Sequence, residues 1–166
     1  MKQILYIDCD GVILDTIRTA IKLSYEYKQD VNFLFRNIDW NILIYESGIL
    51  NDSINKIKKI VESSIYDVKI LTKLCGNDTE EMAKRILLGK LLPNVEIITL
   101  KYEENKDDVV NPYNNILIDD EEKNYIRWIN KGGIGIHFVL ENPDITKNEI
   151  SDISEINKVL IKSINF

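Results

Sequence analysis

Apolar residues along this chain fall in short runs separated by polar stretches of helical period. Residues 3–7 (QILYI) are one such run, followed at once by acids, and read as a buried strand. Similar runs recur at 68–71, 95–100, 115–118 and 134–140. Between the first two, residues 15–29 place Ile17, Ile21 and Tyr25 on one helical face. Residues 33–45 are aromatic-rich, with Asp39 as cap of a short helix through Trp40 and Leu43. Asn51 or Asp52 opens a longer helix with Ile54, Ile57, Ile60 and Val61 on one face and Lys56, Lys58 and Lys59 solvated. Helices are further predicted over 80–92, capped by Asp78 or Thr79 and stopped by Pro93-Asn94, over 121–131, stopped by Gly132-Gly133, and over 150–164. Residues 101–114 read as a polar loop closed by Asn111-Pro112.

Short apolar strands alternating with helices predict an α/β fold, a parallel sheet with helices on both faces. At 166 residues and 45% hydrophobic, the chain has enough apolar surface for one core, with room for a small inserted lobe. A net charge of -6 argues against nucleic-acid polymers, which need clustered Lys and Arg, but leaves room for a small phosphorylated ligand at a local site. Cys9 and Cys75 form no disulfide framework and match no zinc spacing, which suits a reducing, cytoplasmic setting. No run is long enough to span a membrane, and the chain enters a strand directly, so neither membrane nor leader is expected.

Ligands of such sheets gather at the carboxyl ends of the strands. Four strand ends carry polar signals: Asp8/Asp10, Thr72/Lys73, the loop after Leu100, and Asp119/Asp120. Asp8 and Asp10, two apart at a strand end, project to one side. Gly11 then lets the backbone turn or approach a ligand. Carboxylates this close repel unless a cation lies between them, and Mg2+ is the natural partner for hard oxygen donors. One acid, best Asp8, can attack phosphorus; Asp10 can exchange protons; Asp120, with or without Asp119, completes the anchoring of the ion. Thr72 offers a hydroxyl to a phosphate oxygen. Phosphoryl transfer also needs a positive charge, for which Lys106, Lys101 and Lys73 are the candidates. Asp119-Asp120 also suits a helix N-cap, and His137 reads as structural. No Walker or dinucleotide glycine motif is present.

Taken together, Asp8-x-Asp10-Gly11-Val12, Ile70-Leu71-Thr72, a following lysine and Ile116-Leu117-Ile118-Asp119-Asp120 resemble the haloacid dehalogenase (HAD) superfamily, in matching order over nearly the whole chain. Leu117 to Asp120, Lys123-Asn124, Trp128 and Gly132 to Ile136 resemble its 5'(3')-deoxyribonucleotidase branch. The resemblance implies a Rossmann-like core of 1–14 and 67–166 and a small helical cap of 15–66 inserted after the first strand. It implies Asp8 as nucleophile and Asp10 as acid/base that also gives its carbonyl to Mg2+. Phosphate binding would fall to Gly11, Thr72, Lys73 and Lys106, with Lys101 the alternative to Lys106. The metal set would be Asp8, Asp10, Asp120 and Asp119, with Asp120 matching the family's metal-binding aspartate. Asp15-Thr16 stand where nucleotidases usually carry an aromatic residue, and Lys73 where they carry a small one.

The expected activity is therefore Mg2+-dependent hydrolysis of a small phosphomonoester, such as a (deoxy)nucleoside monophosphate, through an aspartyl-phosphate. Two other readings stand beside it: a regulatory protein that binds Mg2+ and phosphate without turnover, and a polynucleotide end-phosphatase. A homodimer is left open.

Overall fold

The structure, a computed structural model, describes residues 2–163, with side chains described through residue 160. Six parallel strands form one sheet: β1 (Ile4–Ile7), β2 (Asp67–Lys73), β3 (Glu96–Leu100), β4 (Ile116–Asp119), β5 (Ile134–Phe138) and β6 (Glu149–Ile150). Their order is β3-β2-β1-β4-β5-β6. The chain thus winds outward from β1 in one direction, then returns to start β4 on its other side. The strand order reverses between β1 and β4, where an open α/β sheet leaves a crevice above its carboxyl edge.

Period-two alternation sorts side chains between the faces. Leu5, Ile7, Ile70, Ile116 and Ile118 enter the larger core with Ile54, Ile57, Leu88 and Val159. Tyr6, Leu71, Leu100 and Leu117 form a second core with Trp128, whose ring meets Tyr6 edge-on at 5.3 Å. The predicted two-faced sheet is what the chain adopts. Helices α4 (Ser53–Ser63), α5 (Glu80–Leu91) and α8 (Ile156–Ser163) supply the first core, and α7 (Glu122–Asn130) the second.

After the loop that follows β1, the elements leading to β2 are helices: α1 (Thr16–Tyr27), α2 (Val31–Asn37), α3 (Trp40–Ser47), a 3-10 turn and α4. Ala20, Leu23, Leu34, Trp40 and Leu43 make a separate small core that reaches α5 through Ala83. Asp39 accepts from Asn41 N as the predicted cap of α3. Asp30 caps α2 in the same way, through Asn32 N and Phe33 N.

Three elements differ from the sequence reading. Residues 31–37 are helical, and α6 (Lys106–Val109) interrupts the supposed loop 101–114. The terminal segment forms β6 and 3-10 turns before α8 begins at Ile156; the predicted end at Ile164 lies outside the described residues. No helix among the described residues is long and apolar enough to cross a membrane.

Candidate active site

The strand ends converge. Asp8 follows β1 and is anchored to β4 by its own N–H, which donates to Ile118 O at 2.9 Å. The chain then folds into a tight loop, in which Ile13 N and Leu14 N both donate to Cys9 O and Gly11 N donates to Leu14 O at 2.8 Å. Gly11 has φ +73°, and a Cβ there would lie 2.2 Å from Asp120 Oδ2. The loop can approach β4 this closely only because residue 11 has no side chain.

Two ammonium groups organise the acids. Lys106, fixed by the single turn of α6 and buried, donates to Asp119 Oδ2 at 2.6 Å and lies 2.8 Å from Asp8 Oδ1. Asp119 is also held by Glu121 N at 3.0 Å and by Asn124 Nδ2. Lys84, on α5 and fully out of solvent, is a second buried cation. It pairs with Asp10 Oδ2, donates to Glu80 Oε1 at 2.7 Å and to Thr72 Oγ1 at 3.2 Å, and lies under the Trp40 ring at 4.6 Å. The other oxygen of Asp10 accepts from Thr16 Oγ1 at 2.7 Å.

Asp120 contrasts with its neighbour: its carboxylate takes no hydrogen bond among the described residues. Its backbone oxygen accepts from His137 Nε2 at 3.0 Å, and the imidazole stacks on Tyr125. His137 therefore holds the Asp120 backbone in place, the structural part its pattern suggested. Burial, with Asp8 and Asp119 close by, pushes the Asp120 carboxyl up to about 8. Burial also raises Asp8 to about 7, against the pull of Lys106. Burial opposes the charge on Lys84 and Lys106, yet Asp10 beside the first and Asp119 beside the second hold both ammonium groups above the usual lysine range.

Asp8, Asp119 and Asp120 each offer an oxygen within 4.8 Å of the others. Three hard oxygen donors at one point, two of them carboxyls that burial holds back from ionising, fit a divalent cation such as Mg2+. Asp120 is the freest of the three, because Lys106 and Asn124 already occupy Asp119. Asp8, Asp10 and Asp120 line a cleft of about 790 Å3 whose walls include Phe35, Arg36 and Trp40 from the inserted helices and Lys73, Tyr102 and Lys106 from the sheet side.

Of the residues singled out from sequence, Asp8, Asp10, Gly11, Thr72, Lys106, Asp119 and Asp120 come together. Thr72 Oγ1 lies 3.5 Å from Asp10 Oδ2. The N–H of Gly11 is used by Leu14, so its part is the space it leaves. Lys73 lines the cleft but lies over the Tyr102 ring at 5.4 Å. Lys101 is exposed and outside the cleft. Cys9 is buried among the acids, and burial keeps its thiol protonated. Sequence reasoning missed Lys84. The signal was an i,i+4 Glu80–Lys84 pair on the face of α5 that also carries the apolar Ala83 and Leu88.

No known protein-family profile matches the chain, and no curated protein sequence matches it. Solved structures do. A HAD-superfamily hydrolase of subfamily IA, variant 1, from Geobacter sulfurreducens is similar over 96% of this chain and 100% of its own, with TM-score 0.60 and 11% identity. A hydrolase from Pseudomonas syringae gives 0.60 and 11% over 97% and 99%. A dehalogenase gives 0.58 and 15% over 95% and 96%. At such identities the likeness establishes a shared fold, that of the HAD hydrolases.

Proposed function

We propose that this chain, built on the fold of the HAD hydrolases, is a Mg2+-dependent phosphomonoester hydrolase that works through an aspartyl-phosphate on Asp8. The observation that carries the reading is the division of labour among the acids. Asp8 faces Lys106 and Asp120, whose carboxylate is unpaired among the described residues, while Asp10 is held apart by Lys84 and Thr16.

An Asp8 oxygen attacks phosphorus and the bond to the ester oxygen breaks. Asp10 supplies the proton that oxygen needs. Water then attacks the same phosphorus, its proton passes to Asp10, and the bond to Asp8 breaks, releasing inorganic phosphate. The net change is ester plus water to alcohol plus phosphate. Lys106 stabilises charge on the phosphoryl oxygens beside Asp8, and Thr72 offers its hydroxyl to one of them. Mg2+, held by Asp8 and Asp120 with Asp119 behind them and the Asp10 carbonyl as a further ligand, would neutralise charge between nucleophile and phosphate.

One structural neighbour is a dehalogenase. The clustered carboxylates favour phosphoryl transfer here. Displacing halide from carbon involves no anionic phosphoryl group, so it gives no reason to gather three acids around one point. The cleft volume suits a small ester, with (deoxy)nucleoside monophosphates the first class to test. Phosphate release from p-nitrophenyl phosphate should occur with Mg2+, stop with EDTA and be absent in Asp8→Asn. A wild-type protein inert on a broad panel of phosphate esters would refute the reading.

A further inference from the structure

Lys84 has no part in the steps above, yet the fold buries its charge completely beside Asp10. A buried ammonium is costly unless all its donors are matched. An ammonium has three donors, and here they go to Asp10 Oδ2, Thr72 Oγ1 and Glu80 Oε1. The Trp40 ring closes the remaining side. No donor is left for a substrate. Asp10 is tethered at both oxygens, by Lys84 on Oδ2 and by Thr16 on Oδ1. Lys106 has the opposite placement: it faces Asp8, where the phosphoryl group would be transferred.

We infer that Lys84 is a positioning residue that fixes the Asp10 carboxylate for the two proton transfers, while of these two lysines Lys106 serves the transfer of phosphorus. The inference rests on the proposed hydrolytic reading and divides it into separable halves. p-Nitrophenolate leaves as a stable anion and needs no proton, so formation of the Asp8 adduct from p-nitrophenyl phosphate does not depend on Asp10. An alkyl phosphate needs that proton to leave. Breakdown of the adduct needs Asp10 to accept a proton from water, whichever ester formed it.

The test is rapid-mixing kinetics on Lys84→Met made together with Glu80→Gln, so that the lost cation does not leave Glu80 buried and unpaired. A burst of p-nitrophenolate equal to the enzyme concentration should persist at near the wild-type rate. Turnover after the burst should fall about 100-fold or more, the scale of general acid–base assistance. Intact-protein mass should show one added phosphoryl group accumulating, and with an alkyl phosphate the burst should disappear. Lys84→Arg keeps the buried charge but displaces the donor. It should show the same split at smaller amplitude, and it stands as the test if the first variant does not fold. Equal loss of burst and turnover, or an unchanged dependence on leaving group, overturns the inference. A wild-type enzyme with no phosphatase activity instead refutes the hydrolytic reading itself.

Discussion

Replacing Gly11 by alanine should separate stability from ion binding. The new Cβ would stand 2.2 Å from Asp120 Oδ2, 2.6 Å from its Cγ and 3.3 Å from its Cβ. An ordinary contact needs more than 3 Å, so the carboxylate must move by about 1 Å. The atoms struck are the end of a side chain with no hydrogen bond holding it among the described residues, so moving them is cheap. The remaining cost is alanine at φ +73°, about 1–2 kcal/mol. For a chain of this length that lowers Tm by roughly 2–8 °C. The functional cost is larger, because the displaced group is the freest of the three clustered carboxylates. Mg2+ affinity should fall by about 10–100-fold, the usual effect of misorienting a ligand. Calorimetric titration with Mg2+ alongside thermal unfolding measures both. Unchanged Mg2+ affinity in a folded Gly11→Ala protein would refute the reasoning that Asp120 holds the ion.

Lys106→Met should be destabilising by about 3–5 kcal/mol, because it leaves Asp8 and Asp119 buried without their cation, and denaturant unfolding would show it. The same variant, where it folds, should lose about 100- to 1000-fold in turnover. The metal-free protein should lose stability as pH rises from about 4 to about 8. Asp8 is raised to about 7 and Asp120 to about 8, so over that window the folded chain binds more protons than the unfolded one. Added Mg2+ should flatten that slope in chemical unfolding at each pH, and a metal-free stability that instead rises across the window would refute the shifts. Gly133→Ala should lower stability by about 1–3 kcal/mol without touching the site. Its Cβ would meet the buried Trp128 ring at 2.3 Å and Pro112 O at 2.7 Å, read by thermal unfolding.

The sheet was legible because its strands are short apolar runs that end in polar residues, acids after β1 and β4 and Thr72-Lys73 at the end of β2. What escaped was local or tertiary. Residues 31–37 bury only Leu34, so no apolar stripe marks them, although Asp30 before them was a usable cap signal. With two residues, β6 is too short to show a period. Lys106 was a lysine in a charged run; only the turn of α6 carries it inward to Asp119. Lys84 was hidden for a related reason. A Glu–Lys pair four residues apart reads as a solvated helix face, and here the acid that draws the lysine inward lies 74 positions away. Sequence period reports which face of a helix is apolar, and it is blind to a charge buried by a distant partner.

In the proposed reaction an Asp8 carboxylate oxygen forms the new bond to phosphorus. Rapid acid quench of the Mg2+-loaded enzyme during turnover, followed by peptide mass spectrometry, measures this directly. One phosphoryl group on Asp8, absent from Asp8→Asn, is the predicted result. A phosphoryl group on another residue, or sustained turnover by Asp8→Asn, would contradict it.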